Sequence, residues 1–185
     1  LSFYIREDVV QISKELLGKF LVTKFDSGIT SGKIVETEAY RAPEDRASHA
    51  WNNRRTARTE IMFHEGGVAY IYLCYGVHHL FNVVTGKEGQ AHAVLIRAIE
   101  PSVNVELMMK RRNLERISRQ LTAGPGVVSQ ALGLHTQYSG ASLLAADSPV
   151  WIEDRDLLVD ETEIIAGPRV GVKNSGESAL WMWRF

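Results

Sequence analysis

The chain is poor in cysteine, has no long apolar run and carries almost no net charge. Its single cysteine, Cys74, excludes a disulfide framework and any cysteine-rich zinc site. No segment approaches the run of about 18 apolar residues that a membrane-spanning helix requires. Since no secretory leader is present either, we expect a soluble intracellular protein, in the cytoplasm or nucleoid of a bacterium or in the nucleus of a eukaryote.

The charge balance argues against nucleic-acid binding, whereas the charge distribution permits it. The 21 basic and 22 acidic residues give a net charge of -1, which alone weakens a nucleic-acid hypothesis. Basic residues nevertheless cluster in two places, while acidic residues gather between Glu153 and Glu163. The two basic clusters are Arg54, Arg55 and Arg58, and Lys110, Arg111, Arg112, Arg116 and Arg119. They are either solvated surfaces or one basic face that could bind nucleic acid.

The length and composition favour one globular domain. The chain has 185 residues, of which 45% are apolar and 23% charged, values that are ordinary for a compact domain. We therefore expect a single domain over residues 1–185, without repeats, linkers or low-complexity segments. A polar stretch from Pro43 to about Phe63 is long for a connection, and loops of that length are usually functional or mobile.

The periodicity of apolar residues predicts a mixture of helices and antiparallel strands. Helices are predicted over residues 6–17, ending at Gly18, over a segment capped by Ser102 and continuing to Leu121, and from Gly124-Pro125 to Gly133. Strands are predicted at residues 20–25, 32–40, 68–75, 80–85 and 93–99, with short β-like pieces near 151, 169–172 and 181–183. Residues 68–99 should form three consecutive antiparallel strands, and the first two should form a hairpin with its tip near residues 75–79.

The predicted strand at residues 32–40 carries two acids and a ring at alternate positions. Strand periodicity puts Glu36, Glu38 and Tyr40 on one face together with Ile34. Two interpretations are open: a solvated edge strand, or a site in which a flat ligand beside Tyr40 lies within reach of Glu38. Composition alone favours the first.

Several familiar chemistries have no sequence signal. His78 and His79 are adjacent and would point to opposite faces of a strand, so they make a poor chelate. The metal-binding spacings His-x-x-x-His and Cys-x-x-Cys do not occur. Glycine-rich segments lack the lysine and the preceding strand of a phosphate-binding loop. We therefore expect neither a metal nor a cofactor. Tyr75 differs from the other tyrosines because a large ring at a hairpin tip is free to wedge between base steps of DNA.

Several motifs, in order along the chain, resemble one known family. They are Glu36-Thr-Glu-Ala-Tyr40, Pro43-Glu-Asp45, His49, Tyr70-Ile-Tyr-Leu-Cys-Tyr-Gly76, Asn82, Val94-Leu-Ile-Arg-Ala-Ile-Glu-Pro101, Gly124-Pro125, Ser129-Gln-Ala-Leu132 and Arg169-Val-Gly-Val172. From about Leu16 onward the chain resembles the mammalian-type alkyladenine (3-methyladenine or methylpurine) DNA glycosylases, which also occur in bacteria. The resemblance implies an α+β domain with a curved, largely antiparallel sheet, flanking helices and a protruding hairpin that enters the minor groove of DNA.

The resemblance also implies an activity. Such an enzyme rotates an alkylated or deaminated purine (3-methyladenine, 7-methylguanine, hypoxanthine or ethenoadenine) out of duplex DNA and hydrolyses its N-glycosidic bond with water. The implied enzyme is a monofunctional glycosylase that leaves an abasic site. It acts as a monomer on damaged double-stranded DNA, with no membrane or metal involved. Two alternatives are a catalytically weak module that binds damaged DNA and a small-molecule N-glycosidase that uses Glu36 and Glu38.

The resemblance further implies a role for individual residues. Glu38 matches the general base, with Arg97 close to it and to the water, and Tyr75 matches the residue that intercalates into the duplex. Arg54 and Arg58 match positions near the DNA backbone. Residues expected in the base pocket are Tyr40, Ala47, His49, Tyr72 and Asn82, of which Asn82 would disfavour the exocyclic amino group of guanine.

The chain departs from the family pattern in two places. His78 and His79 stand where the mammalian enzyme has aromatic residues, and Trp51-Asn52-Asn53 replaces a small, glycine-rich stretch. We hypothesise that the two histidines titrate near neutral pH beside DNA phosphates. Glu36 is not expected to serve as a second catalytic acid, because a cationic 3-methylpurine leaves without one.

Overall fold

A computed structural model describes all residues from 1 to 185 and shows an α+β fold built on one curved antiparallel sheet. Its strands are β1 (Phe20–Phe25), β2 (Gly28–Arg41), β3 (Ala69–Cys74), β4 (His78–Thr85), β5 (His92–Val103) and β6 (Val150–Glu153), and they lie in the order β3-β4-β5-β2-β1-β6. Three helices accompany the sheet: α1 (Val9–Glu15), α2 (Val105–Arg112) and α3 (Pro125–Leu132). The predicted fold class is confirmed, and so are the three consecutive antiparallel strands.

Local sequence signals explain two of the helices. The side chain of Asp8 caps α1 by accepting a hydrogen bond from the Gln11 amide at 2.9 Å, which satisfies one of the free donors at the helix start. Helix α3 begins at Pro125 and is capped at its C-terminus by Gly133, whose φ of 74° is a left-handed conformation that glycine adopts without strain. The prediction for this helix is confirmed.

The predicted helix from Ser102 to Leu121 is wrong at both ends. Ser102 lies in β5, and the residue that precedes α2 is Asn104. Asn113, with a φ of 52°, ends α2 in a left-handed conformation that a helix cannot continue through. Leu121 is fully buried although it follows α2 in a separate short turn of 3-10 helix, residues 119–121. Its apolar spacing therefore reflects tertiary burial and not a continuous helix.

The last fifty residues contain less strand than predicted. Only Val150–Glu153 forms a strand, paired with β1. The pieces near residues 169–172 and 181–183 are not strands, although single bridges join Arg184 to Glu38 and to Gly167. The piece near residues 181–183 lies along β2, where the amide of Ala39 donates to the Trp183 carbonyl at 2.9 Å. Residues 170 and 171 form a turn.

Strand β2 does not keep one alternation throughout. Its pairing with β5 shifts register between Ile34 and Glu36 and again between Glu36 and Thr37. Both Ile34 and Ala39 lie in the main core, five positions apart, so the strand reverses its faces between them. The prediction that Ile34 shares a face with Glu38 is therefore wrong, because a bulge re-aims the segment that carries the acids.

The structure has two apolar clusters, one against the sheet and one beneath the loop that follows Pro43. The larger one packs the helices against the sheet, and the smaller one contains Met62 and Phe63 from the loop together with Tyr70 and Ala93 from the strands. Burial of a side chain such as Phe63 contributes roughly 1.5–3 kcal/mol, so the polar stretch after Pro43 is anchored at its far end. A membrane could not be crossed by any helix of the structure, since none is both long and apolar enough.

Candidate active site

A cavity of about 580 Å³ opens beside the middle of the sheet and brings most of the candidate site residues together. Strands β2, β3, β4 and β5, the loop after Pro43 and the segment at residues 170–172 all contribute to its wall. The sequence-predicted residues among its lining are Tyr40, Ala47, His49, Arg58, Tyr72, Tyr75, Asn82 and Arg97. Residues far apart in sequence thus form one concave site of the size that small planar ligands occupy.

Glu38 lies directly beneath this cavity and is fully buried. Its Oε2 accepts a hydrogen bond from the Tyr40 hydroxyl at 2.7 Å, and its Oε1 accepts one from the Val170 amide at 2.7 Å. The Arg97 guanidinium lies 3.3 Å from the same Oε1. We call Glu38, Tyr40, Arg97 and Val170 the pocket floor.

Burial and hydrogen bonding shift the pKa of Glu38 in opposite directions. Loss of solvent raises the pKa of Glu38, and the Arg97 charge, the Val170 amide and the Tyr40 hydroxyl partly offset that rise. A carboxylate whose pKa is raised accepts a proton more readily than a surface glutamate does. The pKa of Tyr40 is raised well above its ordinary value, mainly by burial and then by the Glu38 charge, so Tyr40 remains a hydrogen-bond donor.

The walls of the cavity are aromatic. His49 and Tyr72 meet edge to face, with ring centroids 4.6 Å apart and planes at 80°, and Tyr70 lies 5.4 Å from Tyr72. The Nδ1 of His49 is 3.0 Å from the Tyr70 hydroxyl, and its Nε2 is 3.3 Å from the Arg58 guanidinium. Burial, followed by the Arg58 charge, lowers the pKa of His49 to about 4. The ring is therefore neutral at physiological pH and accepts a hydrogen bond from Arg58.

Two smaller residues, Asn82 and Ala47, also line the cavity. Asn82 is almost fully buried, and its side-chain amide donates to the carbonyls of Tyr70 at 3.1 Å and Leu80 at 3.2 Å. Both donors of this amide are thus used within the protein, and the side chain is held rigidly against the cavity. The backbone amide of Ala47 donates to Asp45 at 2.9 Å, which fixes the loop on the opposite side.

Of the residues expected near DNA, Tyr75 and Arg58 line the cavity, whereas Arg54 does not. Residues 75–77 connect β3 to β4, and we call them the β3–β4 turn. Tyr75 is 93% exposed and has a φ of 51°, a left-handed conformation that costs a bulky residue on the order of 1–3 kcal/mol. Arg54 is exposed on the loop. Arg58 is exposed as well, but its guanidinium lies 4.7 Å from the Tyr72 ring centroid, so in the free protein it belongs to the pocket wall.

Sequence reasoning missed the elements that hold the floor together. Arg169 and Asp45 form a fully buried ion pair, with Nη2 and Oδ1 2.8 Å apart. The same guanidinium lies 4.7 Å from the Tyr40 ring centroid. In the chain, Arg169 directly precedes Val170, whose amide binds Glu38. Both residues fall within motifs quoted above, yet no local pattern relates positions 45 and 169.

Comparison with known proteins places the chain among the enzymes that hydrolyse N-glycosyl bonds in DNA. The model of the family described as methylpurine-DNA glycosylase (MPG) matches residues 2–185. Similar curated proteins include one from Chlamydia felis, 44% identical over 185 residues, with 100% of this chain and 93% of the relative covered. Others come from Bacillus licheniformis, at 43% identity, and Bacillus subtilis, at 42%, each covering 100% of this chain and 90% of the relative.

All three relatives carry the provisional name 3-methyladenine DNA glycosylase. Since the family model covers nearly the whole chain, the chain belongs to the methylpurine-DNA glycosylase family. It is therefore a DNA repair enzyme, a hydrolase that acts on N-glycosyl bonds, and DNA is its substrate. The resemblance inferred from the sequence motifs is confirmed.

Proposed function

We propose that the enzyme removes alkylated and deaminated purines from duplex DNA by rotating the damaged base into the cavity and hydrolysing its N-glycosidic bond, which leaves an abasic site. The observation that carries the proposal is Glu38, a carboxylate buried beneath an aromatic pocket. The substrates are of the 3-methyladenine, 7-methylguanine, hypoxanthine and ethenoadenine class.

The cavity suits a flipped purine. Rotation out of the duplex costs a few kcal/mol and costs least for a damaged or mispaired base. Stacking on aromatic faces returns about 1–3 kcal/mol per base, and the rings of Tyr40, His49 and Tyr72 are available for it. Asn82 disfavours undamaged guanine through the space it occupies beside the base, where hydrogen bonds to the Tyr70 and Leu80 carbonyls hold its side chain in place. Cationic 7-methylguanine is removed despite this contact, because the cationic base leaves readily.

Glu38 performs the proton transfer in this proposal. Hydrolysis passes through an oxocarbenium-like sugar, so an ionised carboxylate near the anomeric carbon both stabilises positive charge and accepts a proton from the attacking water. The hydrogen bonds from Val170 and Tyr40 fix the carboxylate, and Arg97 favours its ionised form. The water's oxygen bonds to the sugar carbon while the purine departs with the electron pair of the broken bond.

In this proposal, DNA is bound by residues around the opening of the cavity. Tyr75 fills the space in the duplex that the rotated base vacates, as exposed rings and apolar wedges do in other DNA-bending proteins. Arg54 approaches the phosphate backbone, and Arg58 can turn toward it from the pocket wall. The proposed enzyme is a monomer with a single domain, and its reaction draws on water alone, without a metal or cofactor.

The test is release of free base from duplex oligonucleotides that contain hypoxanthine or 3-methyladenine, measured in single turnover with excess protein. Removal of a general base lowers the rate by about 10²–10⁴-fold, so Glu38→Gln should lose that much while still binding the damaged duplex. Full activity in Glu38→Gln would refute the mechanism.

Two further outcomes would indicate the alternative functions. Damaged duplex bound without base release by the wild-type protein would indicate a DNA-damage-binding module. Cleavage of free nucleosides as fast as of duplex DNA would indicate a small-molecule N-glycosidase.

A further inference from the structure

A second carboxylate, Glu36, lies behind the pocket floor and binds two arginines. Its Oε1 accepts hydrogen bonds from Arg97 Nε at 3.2 Å and from Arg184 Nη1 at 3.0 Å. Arg97 in turn directs its Nη1 to Glu38 Oε1 at 3.3 Å. Four charged side chains thus form one row, in the order Arg184, Glu36, Arg97 and Glu38, with charges that alternate in sign.

The backbone places this row through an irregularity in the sheet. Ile34 pairs with Ile99, Glu36 with Ala98 and Thr37 with Ile96, so that Val35 on β2 and Arg97 on β5 have no directly paired partner. Extra residues of this kind re-aim side chains and are frequent beside active sites. Without them, strand alternation would not bring Glu36 and Arg97 together in this way.

Arg184 is tied to the same floor by its backbone. It exchanges hydrogen bonds of 2.8 and 3.0 Å with Gly167, and its Nε donates to the Pro168 carbonyl at 2.9 Å. This segment leads directly to Val170, whose amide binds Glu38. The side chain that holds Glu36 is therefore attached to the strand and to the loop that both orient the proposed base.

We propose that Glu36 and Arg184 are positioning residues that hold the Arg97 guanidinium between two carboxylates and so determine how much of its charge stabilises ionised Glu38. Glu36 does not line the cavity, so it has no contact with a base bound there. The inference rests on the proposed function, in which Glu38 is the general base.

This row of charges predicts that substitutions of Glu36 and of Arg184 shift the pKa of Glu38 in opposite directions. The charged or titratable groups that act on Glu38 are Arg97, Arg169, Tyr40, Tyr72 and, through Arg97, Glu36. Glu36→Gln removes a like charge and a competitor for Arg97, so the pKa of Glu38 should fall. Arg184→Gln leaves Glu36 to be neutralised by Arg97 alone, so the pKa of Glu38 should rise.

The experiment is the pH dependence of single-turnover base release from a duplex that contains 7-methylguanine, whose cationic base needs no added proton to leave. Because the ionised form of Glu38 is active, the acidic limb of the profile should move to lower pH in Glu36→Gln and to higher pH in Arg184→Gln. Each shift should be on the order of half a pH unit, since Glu36 is partly exposed to solvent. The double variant should resemble Glu36→Gln, because Arg184 acts through Glu36.

Matched controls separate this effect from general charge or stability changes. Glu153 and Arg155 form an ion pair on the surface, so Glu153→Gln and Arg155→Gln make the same charge changes away from the site and should leave the limb in place. Glu36→Asp and Arg184→Lys keep the charges, so the acidic limb in these variants should lie closer to the wild-type position than in the corresponding Gln variants.

Shifts in the same direction, or lower rates with an unmoved limb in folded variants, would overturn the inference. Failure of the proposed function looks different: the wild-type enzyme would show no acidic limb, or Glu38→Gln would be fully active.

Discussion

The pocket floor and the β3–β4 turn differ in how much of their structure exists before DNA binds. In the floor, Glu38 is fully buried and both of its oxygens have partners in the protein. At the turn, Tyr75 is 93% exposed, and a side chain added at Gly76 would meet nothing within 4 Å. The groups of one region therefore have their partners within the free enzyme, and those of the other are open to solvent.

In the proposed mechanism, this difference separates the chemical step, at Glu38, from DNA recognition, at Tyr75. Fixed donors around Glu38 need no reorganisation at the moment of reaction, which is the condition under which electrostatic stabilisation is most effective. An exposed ring in a strained backbone conformation stabilises the free protein little, which agrees with the DNA contact proposed for Tyr75. Substitutions in the floor should therefore affect folding and rate, and substitutions at the turn should affect binding alone.

The largest effect is expected from the buried ion pair that supports the floor. Arg169→Met leaves the Asp45 carboxylate buried without its partner, which should lower the free energy of unfolding by about 3–5 kcal/mol. Urea denaturation measures this loss. Arg155→Met removes an arginine from an exposed pair and should cost no more than about 1 kcal/mol. Equal losses in the two variants would show that the floor is not held by Arg169.

A smaller effect, confined to binding, is expected at the turn. Tyr75→Ala should leave the unfolding midpoint unchanged and weaken binding to a duplex with a damaged purine by roughly 10–100-fold, the equivalent of about 1–3 kcal/mol of base stacking. Fluorescence anisotropy with labelled duplex measures the change. Leu158, which is 98% exposed and does not line the cavity, provides the control Leu158→Ala. Unchanged affinity in Tyr75→Ala would exclude the wedge role.

The sequence predicted the parts of the fold whose signals are local. Strands β3, β4 and β5 follow β-rich runs separated by glycine turns, and α3 starts at a proline and ends at a glycine. The extension of β5 through Ser102 and the left-handed Asn113 that stops α2 were missed. Apolar spacing does not distinguish a helix from a coil that is buried by tertiary packing, as at Leu121.

The candidate site was predictable to a similar extent. Motif resemblance identified Glu38, Tyr40 and Arg97, which the structure does bring together. The donors from Val170 and the support from Arg169 depend on contacts across more than 120 positions, for which a single sequence holds no signal. The reversal of faces in β2 likewise depends on its pairing with β5, not on its own residues.

The smallest expected effect concerns the two histidines beside the turn. The Nδ1 of His79 accepts a hydrogen bond from the Thr136 amide at 3.2 Å, and desolvation, together with the neighbouring His135, lowers the pKa of His79 below its ordinary 6.5. His79 is therefore neutral at pH 7 and gains a charge as the pH falls below 6.5. Nearby phosphates would favour that charge, so DNA binding should strengthen modestly as the pH falls below 6.5, with the salt slope rising by at most about 0.9 per added phosphate contact. Anisotropy titrations of the His78→Ala, His79→Ala double variant should lack this strengthening. Identical pH and salt dependence in the wild-type and double-variant proteins would remove the histidines from the binding surface and leave Tyr75 as the turn's main contact with DNA.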